Sequence, residues 1–266
     1  MKKNIQFYKF DGAGNDFVMI DNRDKHYNLE ASTIEHICNR RLGVGADGLI
    51  LLQSPKDATD GDFCMKYYNS DGNPAEMCGN GGRCIVAFAH LLGIGGKKTS
   101  FRADDGIHNA EIVMWNDDEL YGLVKLGMND VHVDGICRRL DGWLLNTGVP
   151  HYVQRVDNIE LVDVDKLGRQ LRHHPELGSQ GANINFICDD LDGVLHVRTY
   201  ERGVESETWS CGTGVTACSI ISGNHRIRTR GGDFRVDFIP SSDRYHDVTL
   251  TGPAACNFKG EIILNI

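Results

Sequence analysis

The sequence predicts an α/β (α+β) fold of two pseudo-symmetric domains from an internal duplication, each a curved mixed sheet wrapped around one central buried helix. Three observations predict it. First, Met77-Cys78-Gly79-Asn80-Gly81-Gly82-Arg83-Cys84 has a partner in Ser210-Cys211-Gly212-Thr213-Gly214, and the lead cysteines lie half of the 266-residue chain apart. Second, other segments match in the same order at nearly the same offset. Gly14-Asn15-Asp16-Phe17-Val18 resembles the stretch Gly148 to Val153. Gly45-Ala46-Asp47-Gly48-Leu49-Ile50 resembles Gly181 to Ile187, and Phe101-Arg102-Ala103-Asp104 resembles Phe234-Arg235-Val236-Asp237. A period this long marks duplicated domains, since solenoid repeats run ~20–50 residues. Third, each cysteine–glycine segment runs into a stretch apolar on most sides, Cys84 to Leu92 and Ala217 to Ile221. As helices these must be buried, and a lone helix this apolar needs a sheet around it.

The elements follow in order. Ile5 to Phe10 alternates as a strand, Asp11 to Asn15 turns, and Phe17 to Ile20 is a second strand. Ser32 reads as a helix N-cap, with Glu35 completing a capping box and Ile34, Ile37, Cys38 and Leu42 on one apolar face. Gly43-Val44-Gly45-Ala46-Asp47-Gly48 matches G-x-G-x-x-G, but it follows a helix and precedes a strand. A dinucleotide fingerprint requires the reverse order, so it is read as a decoy. Phe63 to Tyr68 is a strand delivering Asn69 and a turn; Glu76 and Cys78 follow, then the first buried helix, stopped near Gly93. Asn116-Asp117-Asp118 marks a hairpin. In the second half, Trp143 to Val153 is strand-like, Asp163 to Arg172 a short helix with Val164, Leu167 and Leu171 on one face, and Asn183 to Ile187 a strand. Val194 to Tyr200 alternates and delivers Glu201-Arg202-Gly203. The second buried helix ends near Gly223, and the chain from Arg235 onward is mostly strand.

Composition narrows the function classes. A hydrophobic content of 41% supports real cores, and a net charge of −9 argues against nucleic-acid or membrane-surface partners. No stretch approaches the ~20 apolar residues of a transmembrane helix, and no apolar region follows Lys2-Lys3 as in a signal peptide. Nine cysteines, an odd number without a CxxC pair, fit a reducing cytoplasm better than a disulfide framework.

Cys38, Cys64, Cys137, Cys188 and Cys256 read as packing, as do Cys84 and Cys218 inside the apolar helices. Cys78 and Cys211 differ, because each stands at a predicted helix start beside glycines that admit a ligand to the backbone. First-turn N–H groups lack helical partners, so they bind anions and favour a thiolate. A helix terminus contributes up to ~2 kcal/mol, about 1.5 pKa units, which brings a thiol of pKa about 8.5 near neutrality. Three chemistries use such a pair. A disulfide switch needs no duplicated anion loops, and a metal site needs more ligands than two cysteines. Proton transfer on both faces of one carbon uses the cysteines, the glycines and the duplication together. No metal is expected.

Nearly the whole chain resembles the diaminopimelate epimerase family. The residues that carry the resemblance are Gly14-Asn15-Asp16-Phe17, Cys78-Gly79-Asn80-Gly81, Pro150-His151, Tyr200-Glu201-Arg202-Gly203 and Cys211-Gly212-Thr213-Gly214. The resemblance implies cofactor-free interconversion of LL- and meso-diaminopimelate, on the route to lysine and peptidoglycan. It implies two pseudo-symmetric α/β domains closing over the substrate: residues 1–120 with the last strand, 258–266, and residues 121–257. It implies Cys78 and Cys211 as the acid/base pair. Gly79, Asn80, Gly212 and Thr213 would hold the reacting carboxylate through backbone N–H groups, with Asn15 close by. Asn69, Asn183 and Arg202 would grip the distal amino acid end, Glu201 an ammonium group, and His151 would sit near the thiols and support their protonation balance. It also suggests a homodimer in the cytoplasm.

The chain departs from the family pattern twice. Val149 stands where Gly-Asn-Pro-His is common, and Gly48 where some members have Gln, so a polar substrate contact is lost at each. Two rival readings remain. A racemase of another amino acid, in the manner of proline racemase, would not be expected to keep Arg202 as a distal clamp. A thiol redox or binding protein of the same fold would tolerate serine at both cysteines.

Overall fold

The computed structural model describes residues 2–24, 27–75 and 77–265; Glu76 lies outside the described residues. The chain divides into two compact units, Met1–Leu126 with Pro253–Ile266, and Gly127–Gly252.

In the first unit β1 (Lys2–Asp11) turns into antiparallel β2 (Asp16–Asp21), with the Gly12 N–H donating to the Asn15 carbonyl at 2.9 Å. Phe17, Val18, Met19 and Ile20 are all buried, as a strand covered on both faces requires. Helix α1 (Ala31–Cys38) crosses over to β3 (Gly48–Gln53), which is parallel to β2. β4 (Phe63–Asn69) returns antiparallel, followed by β5 (Pro74–Ala75). Helix α2 (Gly79–Leu91) crosses to β6 (Lys98–Ala103), parallel to β4, and the hairpin β7 (Gly106–Asn116) and β8 (Tyr121–Gly127) follows.

Strand alternation sorts the side chains between the two helices. Val18, Ile20, Leu49 and Leu51 pack in one cluster with Ile34 and Ile37 of α1. The opposite face meets α2, where Gly81 lies against Ile50 and Met65. Every residue of α2 from Asn80 to Ala89 is buried. Three glycines in its first turn each cost about 1 kcal/mol of helix propensity. Burying Ile85, Val86 and Phe88 at ~1.5–3 kcal/mol each offsets that cost, so packing holds this helix.

The second unit repeats the ladder. After β9 (Val131–His132) and β10 (Cys137–Arg139), β11 (Gly142–Asn146) pairs antiparallel with β12 (Pro150–Arg155). Helix α3 (Val164–Arg172) crosses to β13 (Asn183–Asp189), parallel to β12 with His151 opposite Asn183. β14 (Leu195–Glu201) and β15 (Ser206–Thr208) are antiparallel, and α4 (Gly212–Ser222) crosses to β16 (Arg226–Thr229), parallel to β14. β17 (Gly232–Pro240) and the long β18 (Arg244–Asn265) complete it. The sequence of antiparallel and parallel pairings from β11 to β18 reproduces that from β1 to β8. The duplication read from the cysteine loops therefore extends to topology. β18 serves both units: its first part pairs with β17, and from Ala255 onward it pairs with β1.

Two local readings are corrected. Ser32 is not the N-cap of α1: the helix begins at Ala31, Glu30 stands at the cap without a side-chain bond, and the Glu30 carbonyl takes the N–H groups of Thr33 and Ile34. Leu42 is not on the helix face but 74% exposed, because α1 stops at Cys38 and the chain turns back so that the Val44 and Gly45 N–H groups reach the Ile37 carbonyl. The glycine-rich segment is thus the wrap that ends α1. Gly45 has φ +80°, and a Cβ there would stand 2.8 Å from Arg40 Cα. Among the described residues no helix is long and apolar enough to cross a membrane.

Candidate active site

In the first unit Cys78 is the N-cap of α2, with extended backbone angles. Its sulfur takes the place of a capping oxygen and accepts the Gly81 N–H at 3.2 Å. A donated hydrogen bond and a helix N-terminus both favour the thiolate. Asn15 Oδ1 lies 3.9 Å from the same sulfur. The Asn15 amide is held from behind, where Nδ2 donates to the Asp47 carboxylate at 2.7 Å. A carboxylate only accepts, so this bond aims the Asn15 oxygen at Cys78. Asp47 is held by Arg40 at 2.7 Å, Arg40 also binds Asp16 at 2.8 Å, and Asp16 binds the buried Lys9 at 2.6 Å. Burial opposes ionisation of Asp16, but hydrogen bonds from Arg40 and Lys9 overcome it and hold its carboxyl well below the usual range.

Asn80 is buried beside this group. Its Oδ1 accepts from Arg83 Nη2 at 2.9 Å, and its Nδ2 lies 3.5 Å from Asn15 Oδ1. Arg83 is fully buried and also donates to the carbonyls of Gly79, Gly12 and Pro253. Its burial pushes the guanidinium pKa down. Gly12 must be glycine, since a Cβ would stand 2.9 Å from both the Asn80 carbonyl oxygen and Cys84 Sγ. Gly48 is equally closed, with the Tyr67 ring 2.5 Å from where its Cβ would lie. Asn69 ends β4 on the surface opposite Gly48.

In the second unit Cys211 is the N-cap of α4 and is buried, but it makes no capping bond. Its sulfur instead lies 3.5 Å from Thr213 Oγ1. Thr213 Oγ1 is 2.9 Å from His151 Nε2, so His151 reaches Cys211 through a hydroxyl. His151 is fully buried. Burial first, and then the Arg202 charge, push its pKa down to about 3, which leaves a neutral imidazole at ordinary pH. Asn183 and Asn185 flank the ring from β13 at 3.4 and 3.2 Å. Gly214 lets these parts meet: a Cβ there would lie 2.5 Å from Asn185 Oδ1 and 3.3 Å from His151 Cε1. Asn183 Oδ1 accepts the Arg202 backbone N–H at 2.7 Å, which fixes the start of the turn after β14. The Arg202 guanidinium makes no hydrogen bond or ion pair among the described residues. Glu201 accepts from Thr208 Oγ1 at 2.5 Å. Val149 is half-buried and presents no polar atom beyond its backbone; its carbonyl accepts from Thr147 N–H at 3.3 Å.

The structure thus groups Cys78, Gly79, Asn80 and Asn15 in one unit, and Cys211, Gly212, Thr213, His151, Asn183, Glu201 and Arg202 in the other. The first-turn N–H groups of each helix suit a carboxylate. Burial disfavours the thiolate at five of the other cysteines: it pushes Cys84 and Cys218 well above the ordinary thiol value, Cys38 up to about 12, Cys256 up to about 11, and Cys64 upward. Among the described residues no three His, Cys, Asp or Glu side chains gather to hold a metal ion. Sequence reasoning missed Asp47, Arg83 and Asn185. Asn185 carried a signal: two asparagines two apart on one face of a strand, where Asn is disfavoured unless partnered.

The family model described as diaminopimelate epimerase matches residues 7–130 and 143–243. A diaminopimelate epimerase of Flavobacterium psychrophilum is 42% identical, over 97% of this chain and 100% of that one. Another from Aquifex aeolicus is 40% identical, over 97% and 98%. Among solved structures, a probable proline racemase from Agrobacterium radiobacter with bound carbonate superposes with a TM-score of 0.69 at 15% identity, covering 98% of this chain and 93% of that one. A PhzF-family phenazine biosynthesis protein from Bacillus anthracis gives 0.69 at 15% identity, covering 98% and 100%. These two likenesses show the fold.

Proposed function

The chain belongs to the diaminopimelate epimerase family, and from that premise we propose that Cys78 and Cys211 are the two bases that invert the α-carbon of diaminopimelate. The enzyme is an isomerase with diaminopimelate epimerase activity in lysine biosynthesis. The residue roles are our reading. The observation that carries it is that each unit ends a buried, glycine-started helix in a cysteine N-cap.

One sulfur, as thiolate, takes the α-proton, and the C–H electron pair spreads onto the substrate carboxylate. The other, as thiol, gives its proton to the opposite face of the carbon. The product has inverted configuration, and the thiol and thiolate have exchanged places. The N–H groups of Gly79, Asn80, Gly212 and Thr213 hold the carboxylate while charge accumulates on it, a contribution that strengthens in the transition state. The Arg202 guanidinium suits the distal carboxylate, with Asn69 and Asn183 beside that end and Glu201 for an ammonium group. With Val149 apolar and Gly48 filled by Tyr67, the distal end depends on these residues for its polar contacts. We place the reaction in the cytoplasm, in keeping with nine cysteines that are all free thiols, and in a homodimer. The route also serves peptidoglycan.

The test is proton exchange. Reduced protein in D₂O with LL-diaminopimelate exchanges the α-proton and forms the meso isomer without added pyridoxal phosphate or metal. Cys78→Ser or Cys211→Ser lowers turnover by at least ~10²-fold with little change in substrate affinity. Near wild-type turnover in either variant refutes the two-base assignment. Exchange with proline or lysine but not diaminopimelate keeps the chemistry and refutes the substrate.

A further inference from the structure

We propose that Asn185 is a positioning residue for the reaction: it fixes His151 as the Nε2–H tautomer, which leaves the Thr213 hydroxyl donating to the Cys211 sulfur. The inference rests on the reading of Cys211 as a base.

The orientation of the Asn185 amide is fixed by its neighbours. Asn185 is fully buried on β13. Its Nδ2 lies 2.9 Å from the Tyr152 backbone carbonyl, which can only accept. Its Oδ1 takes the Thr199 hydroxyl at 3.0 Å. Turning the amide over would set two oxygens against each other at the carbonyl, so Nδ2 is the NH₂ group. One of its hydrogens goes to Tyr152. The other faces His151 Nδ1 at 3.2 Å.

A neutral imidazole has one donor nitrogen and one acceptor. With Nδ1 accepting from Asn185, Nε2 carries the proton. It donates to Thr213 Oγ1 at 2.9 Å. Thr213 Oγ1 then has its own hydrogen to give, and the Cys211 sulfur lies 3.5 Å away. A hydrogen bond donated to sulfur favours the thiolate. The Cys211 side chain makes no capping bond, whereas Cys78 takes the Gly81 N–H.

Asn183 presents the opposite demand. The Arg202 N–H occupies its Oδ1, so its NH₂ group faces Nε2, at 3.4 Å. That contact would make Nε2 an acceptor. The two asparagines cannot both donate to a neutral ring, and the shorter contact, locked by Tyr152 and Thr199, wins. Without Asn185 the ring passes to Asn183. The proton moves to Nδ1, the Thr213 hydroxyl turns to Nε2, and its donation to Cys211 is lost.

The experiment has two parts. In the wild-type enzyme, ¹⁵N-histidine NMR reads the tautomer of His151, assigned by its loss in His151→Gln. A proton on Nε2 is expected; a proton on Nδ1 overturns the inference with no variant needed. In Asn185→Leu, with folding checked by thermal unfolding, the proton moves to Nδ1. Iodoacetamide alkylation of Cys211, located by mass spectrometry, slows about tenfold while that of Cys78 is unchanged, since the thiolate is the nucleophile. The kcat falls about tenfold with KM unchanged. Unaltered Cys211 alkylation in a folded Asn185→Leu protein also overturns the inference. Absence of α-proton exchange in the wild type would refute the function instead, while tautomer and alkylation still report on Asn185.

Discussion

Acidification should destabilise this protein through one histidine, and the size of the effect follows from where that histidine sits. His151 has no exposed surface. Burial and the Arg202 charge push its pKa down to about 3, whereas in the unfolded chain it titrates near 6.5. Between these values the unfolded chain binds a proton that the native state refuses. Its contribution is therefore complete above about pH 6.5 and is lost as pH falls towards 3. At pH 5 the unfolded chain gains ~2 kcal/mol relative to pH 8, approaching ~4–5 kcal/mol near pH 3. His151→Gln keeps an amide that can donate to Thr213 and removes the titration. Urea unfolding of both proteins at pH 8, 6.5 and 5 isolates the term, because every other titrating group is common to the two. The wild type should lose ~2 kcal/mol more than the variant between pH 8 and 5. Equal losses would show that the ring accepts a proton in the folded state, and the account of a neutral imidazole would fail.

Three further outcomes are expected. Glu207 accepts a two-pronged contact from Arg198, both nearly buried, so Glu207→Ala strands a guanidinium and costs ~3–5 kcal/mol by urea denaturation; a loss under ~1 kcal/mol would contradict this. Gly214→Ala places a Cβ 2.5 Å from Asn185 Oδ1 and should lower kcat at least ~10-fold through displacement of the Cys211 loop; unchanged steady-state kinetics would show that the loop tolerates the shift. Asp47→Ala frees the Asn15 amide and should lower kcat/KM about tenfold without changing the alkylation rate of Cys211; equal loss of reactivity at both cysteines would mean a general loosening instead.

The duplication, the two buried helices and the cysteines at their starts were legible in the chain, because each rests on local pattern. A helix apolar on most sides announces its burial, and Cys-Gly-Asn-Gly and Cys-Gly-Thr-Gly announce a helix start open to a ligand. Local pattern failed where packing outvoted propensity. Ser32 and Glu35 spelled a capping box, yet α1 begins earlier, at Ala31, and Leu42 continues the periodicity of a helix that has already ended. The partners of the reactive groups were less legible still. Asp47 meets Asn15 across 32 positions, and Asn185 meets His151 across 34, each pair brought together by a parallel strand pairing. Residue order alone sets which side chains stand at the two helix starts, and hence which chemistry is available. The direction of each hydrogen bond behind them emerges on folding, because donor and acceptor roles of amides and imidazoles are set by the neighbours that long-range strand pairing supplies.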